Sequence, residues 1–104
     1  MSSRLESLQK MLENGPGDSF TKYAIGLEYF SLKDFDIARD VFEELRLSDP
    51  GYHATYYQLG KVYEHIGDEQ MAKKIYEQGI FVTTQQSEFH AKAELEQALN
   101  DLLI

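Results

Sequence analysis

Residues 56–76 read YYQLGKVYEHIGDEQMAKKIY, and residues 22–42 read KYAIGLEYFSLKDFDIARDVF. Laid over one another at an offset of 34 residues, Leu59-Gly60, Tyr63, Ala72 and Tyr76 fall on Ile25-Gly26, Tyr29, Ala38 and Phe42. A period of this length marks an array in which each unit is one supersecondary element stacked on the next. The functional question therefore concerns a surface before it concerns a catalytic centre.

Outward from these two stretches the chain reads as helices throughout. Apolar residues recur at i, i+3, i+4 and i+7 over six segments, 3–13, 19–32, 35–47, 53–66, 69–82 and 88–103, which is the signature of amphipathic helices. Asp18 or Ser19 can cap the second segment through a side-chain oxygen. Gly15-Pro16-Gly17, Lys33-Asp34, Asp49-Pro50-Gly51 and Gly67-Asp68 punctuate the joins, and such short links force neighbouring helices to lie antiparallel. Thr83 to Ser87 has neither Gly nor Pro, and a change of helix register is expected there.

Gly26 and Gly60 fall in the middle of helices, where glycine is disfavoured by about 0.5–1 kcal/mol relative to alanine. Such a residue recurs at one register only where something must come close. The expectation is a tight crossing of backbones, with Ala38 and Ala72 as the opposing small residues. Tyr29 with Phe42, and Tyr63 with Tyr76, would fill the space beside it.

This pattern resembles the tetratricopeptide repeat family, whose fingerprint runs aromatic-x-x-Leu-Gly-x-x-Tyr, then Ala-x-x-x-Phe, then Pro. Tyr56, Leu59-Gly60, Tyr63, Ala72 and Tyr76 supply it in one unit; Ile25-Gly26, Tyr29, Ala38, Phe42 and Pro50 supply it in the other. Lys22 replaces the leading aromatic of the first unit, and Thr84 replaces the closing proline of the second. The resemblance implies an all-α fold, a right-handed α-α superhelix of antiparallel helix pairs, like that of small stand-alone bacterial repeat proteins. It divides one domain, 1–104, into a leading half-repeat helix 3–13, repeats 19–52 and 53–86, and a closing helix 88–103. Leu8 precedes Pro16 by the same eight residues that separate Phe42 from Pro50, which gives the leading helix the place of a repeat's second helix. Glu88, Lys92, Glu94, Glu96, Asn100 and Asp101 are expected on the polar outer face of the closing helix.

The resemblance further implies a non-catalytic protein-interaction scaffold whose first helices line a concave face that takes a peptide or protein segment. Phe20, Tyr23, Leu27 and Phe30 are the expected contributors from the first unit, and Tyr57, Lys61, Glu64 and His65 from the second. The groove would run from apolar to polar. An alternative is a homo-oligomer, such as a homodimer, or an assembly subunit that uses Phe20, Tyr23, Leu27 and Phe30 as a permanent interface. The carboxylate clamp known in part of the family is not expected, because Tyr23, Leu27 and Tyr57 occupy positions where it needs polar or basic groups.

Composition narrows the partners. The 104 residues hold ten basic and eighteen acidic side chains, a formal charge of −8. That field repels phosphate backbones and anionic membranes, so neither nucleic acid nor a membrane is an expected partner. There is no cysteine, hence no disulfide framework or thiolate chemistry. Met1 to Leu12 contains charges and no apolar run, unlike a signal peptide, and a cytoplasmic protein is expected. His53, His65 and His90 stand apart and outside any metal-ligand motif, so no cofactor, metal or catalytic residue is expected. Glu43-Glu44, Asp34 and Asp36 read as acids on helix exteriors and helix starts.

Overall fold

The computed structural model describes residues 3–14 and 18–104. The Gly15-Pro16-Gly17 turn lies outside the described residues. Among the described residues six helices follow one another, α1 (Ser3–Asn14), α2 (Ser19–Ser31), α3 (Phe35–Ser48), α4 (Ala54–Ile66), α5 (Glu69–Gln85) and α6 (Phe89–Leu103). Each packs on its sequence neighbour in antiparallel pairs, while α4 also touches α2 on one side and α6 on the other. The three helices α2, α4 and α6 thus stand side by side along one face. No described helix is long and apolar enough to cross a membrane.

Local chemistry sets the helix ends. Asp18 caps α2: one carboxylate oxygen accepts from the Phe20 N–H at 3.0 Å and the other from the Thr21 hydroxyl at 2.8 Å. Asp68 caps α5 by accepting from the Met71 N–H at 3.1 Å. Three helix exits close alike, through backbone N–H bonds from Asp34 to the Tyr29 carbonyl, Asp68 to Tyr63 and Glu88 to Thr83, each at 2.9 Å. This closure requires a left-handed residue just before the donor. Gly67 fills that position at φ 93°, but Lys33 at 61° and Ser87 at 57° fill it without glycine.

The core runs continuously through Ala38, Phe42, Tyr56, Leu59, Val62, Tyr63, Ala72, Ile75, Tyr76, Leu95 and Ala98. It differs from the expectation at Gly26 and Gly60. The nearest neighbour of each is an aromatic ring rather than an opposing backbone. A Cβ on Gly26 would lie 2.5–2.9 Å from three ring carbons of Phe42, and one on Gly60 would meet the Tyr76 ring, with Cζ at 2.6 Å. The glycines are sockets for rings arriving from the second helix of each pair. Tyr23 also meets the Phe42 ring, with centroids 5.9 Å apart, and Tyr29 packs against the same core.

Polar bonds tie successive pairs together. The Tyr63 hydroxyl donates to Glu43 Oε2 at 2.5 Å, while Arg46 joins Glu43 Oε1 at 2.6 Å to Gln78 at 3.0 Å. Glu43 is therefore a part-buried linker between α3, α4 and α5 instead of an exterior acid. Within the α4–α5 pair, the Tyr76 hydroxyl donates to Glu64. Burial first, and the facing carboxylate second, push both phenols far above the ordinary tyrosine range.

The register change expected near residue 83 is present. α5 runs on to Gln85 before the chain turns at Ser87. Leu95 and Ala98 are buried on α6 as Leu59 and Val62 are on α4, 36 residues on instead of 34. α5 is three residues longer than α3, while the link after it, 86–88, is two residues shorter than 49–53.

Candidate functional site

The side-by-side helices α2, α4 and α6 leave a cleft of about 230 Å³. Its walls are Tyr23 from α2, His53 at the N-cap of α4, Ala54, Tyr57 and Gln58 on α4, and Ala91, Glu94 and Leu95 on α6. The small side chains of Ala54 and Ala91 open the space, and the residues around them furnish two phenols, an amide and a carboxylate.

Helical spacing places these groups. Tyr57 and Gln58 follow Ala54 at i+3 and i+4, so all three share a face. Ala91, Glu94 and Leu95 repeat the same spacing on α6. Leu95 is buried, and Glu94 rides on the flank of the buried stripe, with a side chain 58% exposed. Its Oε1 lies 3.7 Å from His90 Nε2. Glu94 is exposed, as expected of the polar face of α6, and its spacing from Ala91 and Leu95 also sets it at the edge of the cleft.

Tyr23 is half-buried, its ring 5.9 Å from Phe42 and 5.7 Å from Tyr52. Desolvation raises its phenol pKa, against the opposing pull of the Gln58 side chain. The Tyr57 ring has the Lys61 ammonium 5.5 Å from its centroid, within the range of a cation–π contact. Lys61 also pairs with Glu64 at 3.6 Å.

The eight side chains expected on this face do not form one continuous strip. Tyr23 and Tyr57 line the cleft. Lys61, Glu64 and His65 border a second, shallower hollow toward the end of α4. Phe30 is held in an aromatic triad, its ring at right angles to Phe35 (5.6 Å) and His65 (5.4 Å), while Phe35 and His65 stack at 4.6 Å. Leu27 packs against the core, and Phe20, 63% exposed, stands in the first turn of α2. Ala54 and Gln58 on α4, with His53, Ala91, Glu94 and Leu95, complete the cleft, the last four without having been expected there. No group of three or more His, Cys, Asp or Glu among the described residues is arranged to hold a metal.

Comparison with known proteins agrees with this architecture. The tetratricopeptide repeat profile matches residues 53–80. TPR repeat-containing protein PA0015 of Pseudomonas aeruginosa is 28% identical over 91 residues, covering 88% of this chain and 87% of that protein. A tetratricopeptide repeat domain protein from Salinibacter ruber, solved by NMR, is 37% identical with a TM-score of 0.80, over 84% of this chain and 88% of that one. Protein BPP2914 of Bordetella parapertussis has a TM-score of 0.86 at 25% identity, over 99% of this chain and 90% of that one.

Proposed function

The chain belongs to the tetratricopeptide repeat family, and we propose that it is a non-catalytic interaction module holding a peptide segment of another protein between α2, α4 and α6. Membership implies protein–protein interaction in general. What carries the finer reading is the cleft itself. Aromatic rings, which bring much contact area with little rotamer entropy, flank it beside an amide and a carboxylate that can pair with a peptide backbone or side chain. A separate shallow hollow at Lys61, Glu64 and His65 lies farther along α4.

The alternative, self-association through Phe20, Tyr23, Leu27 and Phe30, has less support. Tyr23, Leu27 and Phe30 are engaged within the chain, which leaves Phe20 as the strongly exposed member. Sedimentation velocity separates the readings: a monomer is expected, and a dimer abolished by Phe20→Glu supports the alternative.

Peptides selected on the whole chain by phage display, then measured by calorimetry, test the proposal. Tyr57→Ala is expected to weaken them at least about tenfold, or 1.4 kcal/mol. Glu77→Ala, at an exposed position on α5, should leave them unchanged. Affinities indifferent to both Tyr57→Ala and Gln58→Ala would remove the cleft from consideration.

A further inference from the structure

We infer that the cleft selects a cationic side chain, arginine or lysine, seating its stem against Tyr23 and Tyr57 and its charged end at Glu94. This rests on the peptide-binding reading above and names the chemistry of the partner.

Size is the first argument. About 230 Å³ is below the roughly 300–1,000 Å³ of pockets that enclose small-molecule ligands. It is enough for one long side chain, with the rest of the peptide lying outside. Charge is the second. Glu94 is the carboxylate among the lining residues, and no lysine or arginine lines the cleft. The whole chain carries −8, a field that draws cations toward a concave surface. An acidic ligand would meet that field and Glu94 together. A purely apolar one would strip water from Glu94 and Gln58 without replacing their hydrogen bonds.

The third argument comes from within the chain. Glu94 meets His90 through Oε1 at 3.7 Å, a contact long enough and exposed enough to yield to a guanidinium. A bidentate guanidinium would engage both carboxylate oxygens, which an ammonium does not do. Arginine is therefore expected to bind more tightly than lysine.

The test uses the ¹⁵N-labelled whole chain and four capped tripeptides, acetyl-Ala-X-Ala-amide with X arginine, leucine, glutamate or citrulline. The arginine peptide is expected to shift the amides of Tyr23, Gln58, Ala91 and Glu94, and citrulline, similar in shape but uncharged, to bind at least about fivefold more weakly. Glu94→Gln should abolish that preference. Glu77→Gln, which changes net charge equally from an exposed site on α5, should preserve it. Arginine shifts scattered over the surface and unaffected by Glu94→Gln would overturn the inference. Leucine binding the cleft as tightly as arginine would overturn it while leaving the peptide reading intact. If no peptide perturbs the cleft up to about 10 mM, beyond the millimolar affinity of a weak single-side-chain contact, both readings fall.

Discussion

Replacing Gly60 with alanine sets two physical effects against each other. Helix propensity favours alanine over glycine by about 0.8–1 kcal/mol at a mid-helix position. The structure opposes it. The new methyl would stand 2.6 Å from both Cδ1 and Cζ of Tyr76, whereas ordinary contact begins at 3.4 Å. Cε1 lies closer still, so the ring must retreat by more than an ångström, yet Tyr76 is fully buried and its hydroxyl is bonded to Glu64. Overpacking of such a site falls near the upper end of the usual range, about 3 kcal/mol. After the propensity gain is subtracted, Gly60→Ala should destabilise by about 2 kcal/mol and lower Tm by about 10 °C. Urea and thermal unfolding followed by circular dichroism measure both quantities. Gly51→Ala is the control: its Cβ would meet only the Gln86 amide at 3.4 Å, so its stability should match wild type or rise slightly. In a Tyr76→Leu background the Gly60→Ala loss should shrink by about 1 kcal/mol or more, because the two positions are coupled through the ring. A Gly60→Ala protein as stable as wild type would refute the socket argument, since propensity alone would then govern the position.

Two further perturbations act on polar groups. Thr55 is fully buried and its hydroxyl has no hydrogen-bond partner, whereas Thr21, at the matching place in α2, donates to Asp18. Tyr52 stands where that aspartate would be, so Thr55→Val should stabilise by about 1 kcal/mol by removing an unsatisfied buried hydroxyl; a lower urea midpoint would contradict this. The second concerns high pH. The folded-state pKa of Tyr76 is raised, by burial first and Glu64 second, so its stabilising contribution is complete below the unfolded value near 10 and is lost as pH rises beyond it. Above that pH the unfolded chain binds fewer protons than the folded one, and stability falls with a slope of about 1.4 kcal/mol per pH unit for each such tyrosine. Tyr76→Phe should make the slope shallower by about that amount in urea melts between roughly pH 10 and 12, and an unchanged slope would contradict the assigned environment.

The repeat and its helices were legible because the fingerprint lies in residue spacing, which survives without knowledge of packing. The glycines were half legible. A sequence shows that no side chain fits at Gly26 and Gly60, but a ring and a backbone impose the same demand. The end of α5 was obscure for a different reason: the left-handed residue that stops it is Ser87, where glycine would have given the signal. In the cleft, Tyr23 and Tyr57 followed from their positions on the first helices of the units. Glu94 did not, because a charged residue reads as exterior unless its spacing from Ala91 and Leu95 is weighed. The Phe30–Phe35–His65 triad joins three different helices, and no local pattern announces it. The orphaned hydroxyl of Thr55 was visible in principle, by setting Tyr52-x-x-Thr55 against Asp18-x-x-Thr21.

The most direct test of the recognition surface is a chemical-shift map of the whole chain titrated with a peptide selected on it. The largest changes should fall on Tyr23, Ala54, Tyr57, Gln58, Ala91 and Glu94. A map centred on the outward surfaces of α3 and α5, with those six undisturbed, would contradict the assignment of function to the α2–α4–α6 face.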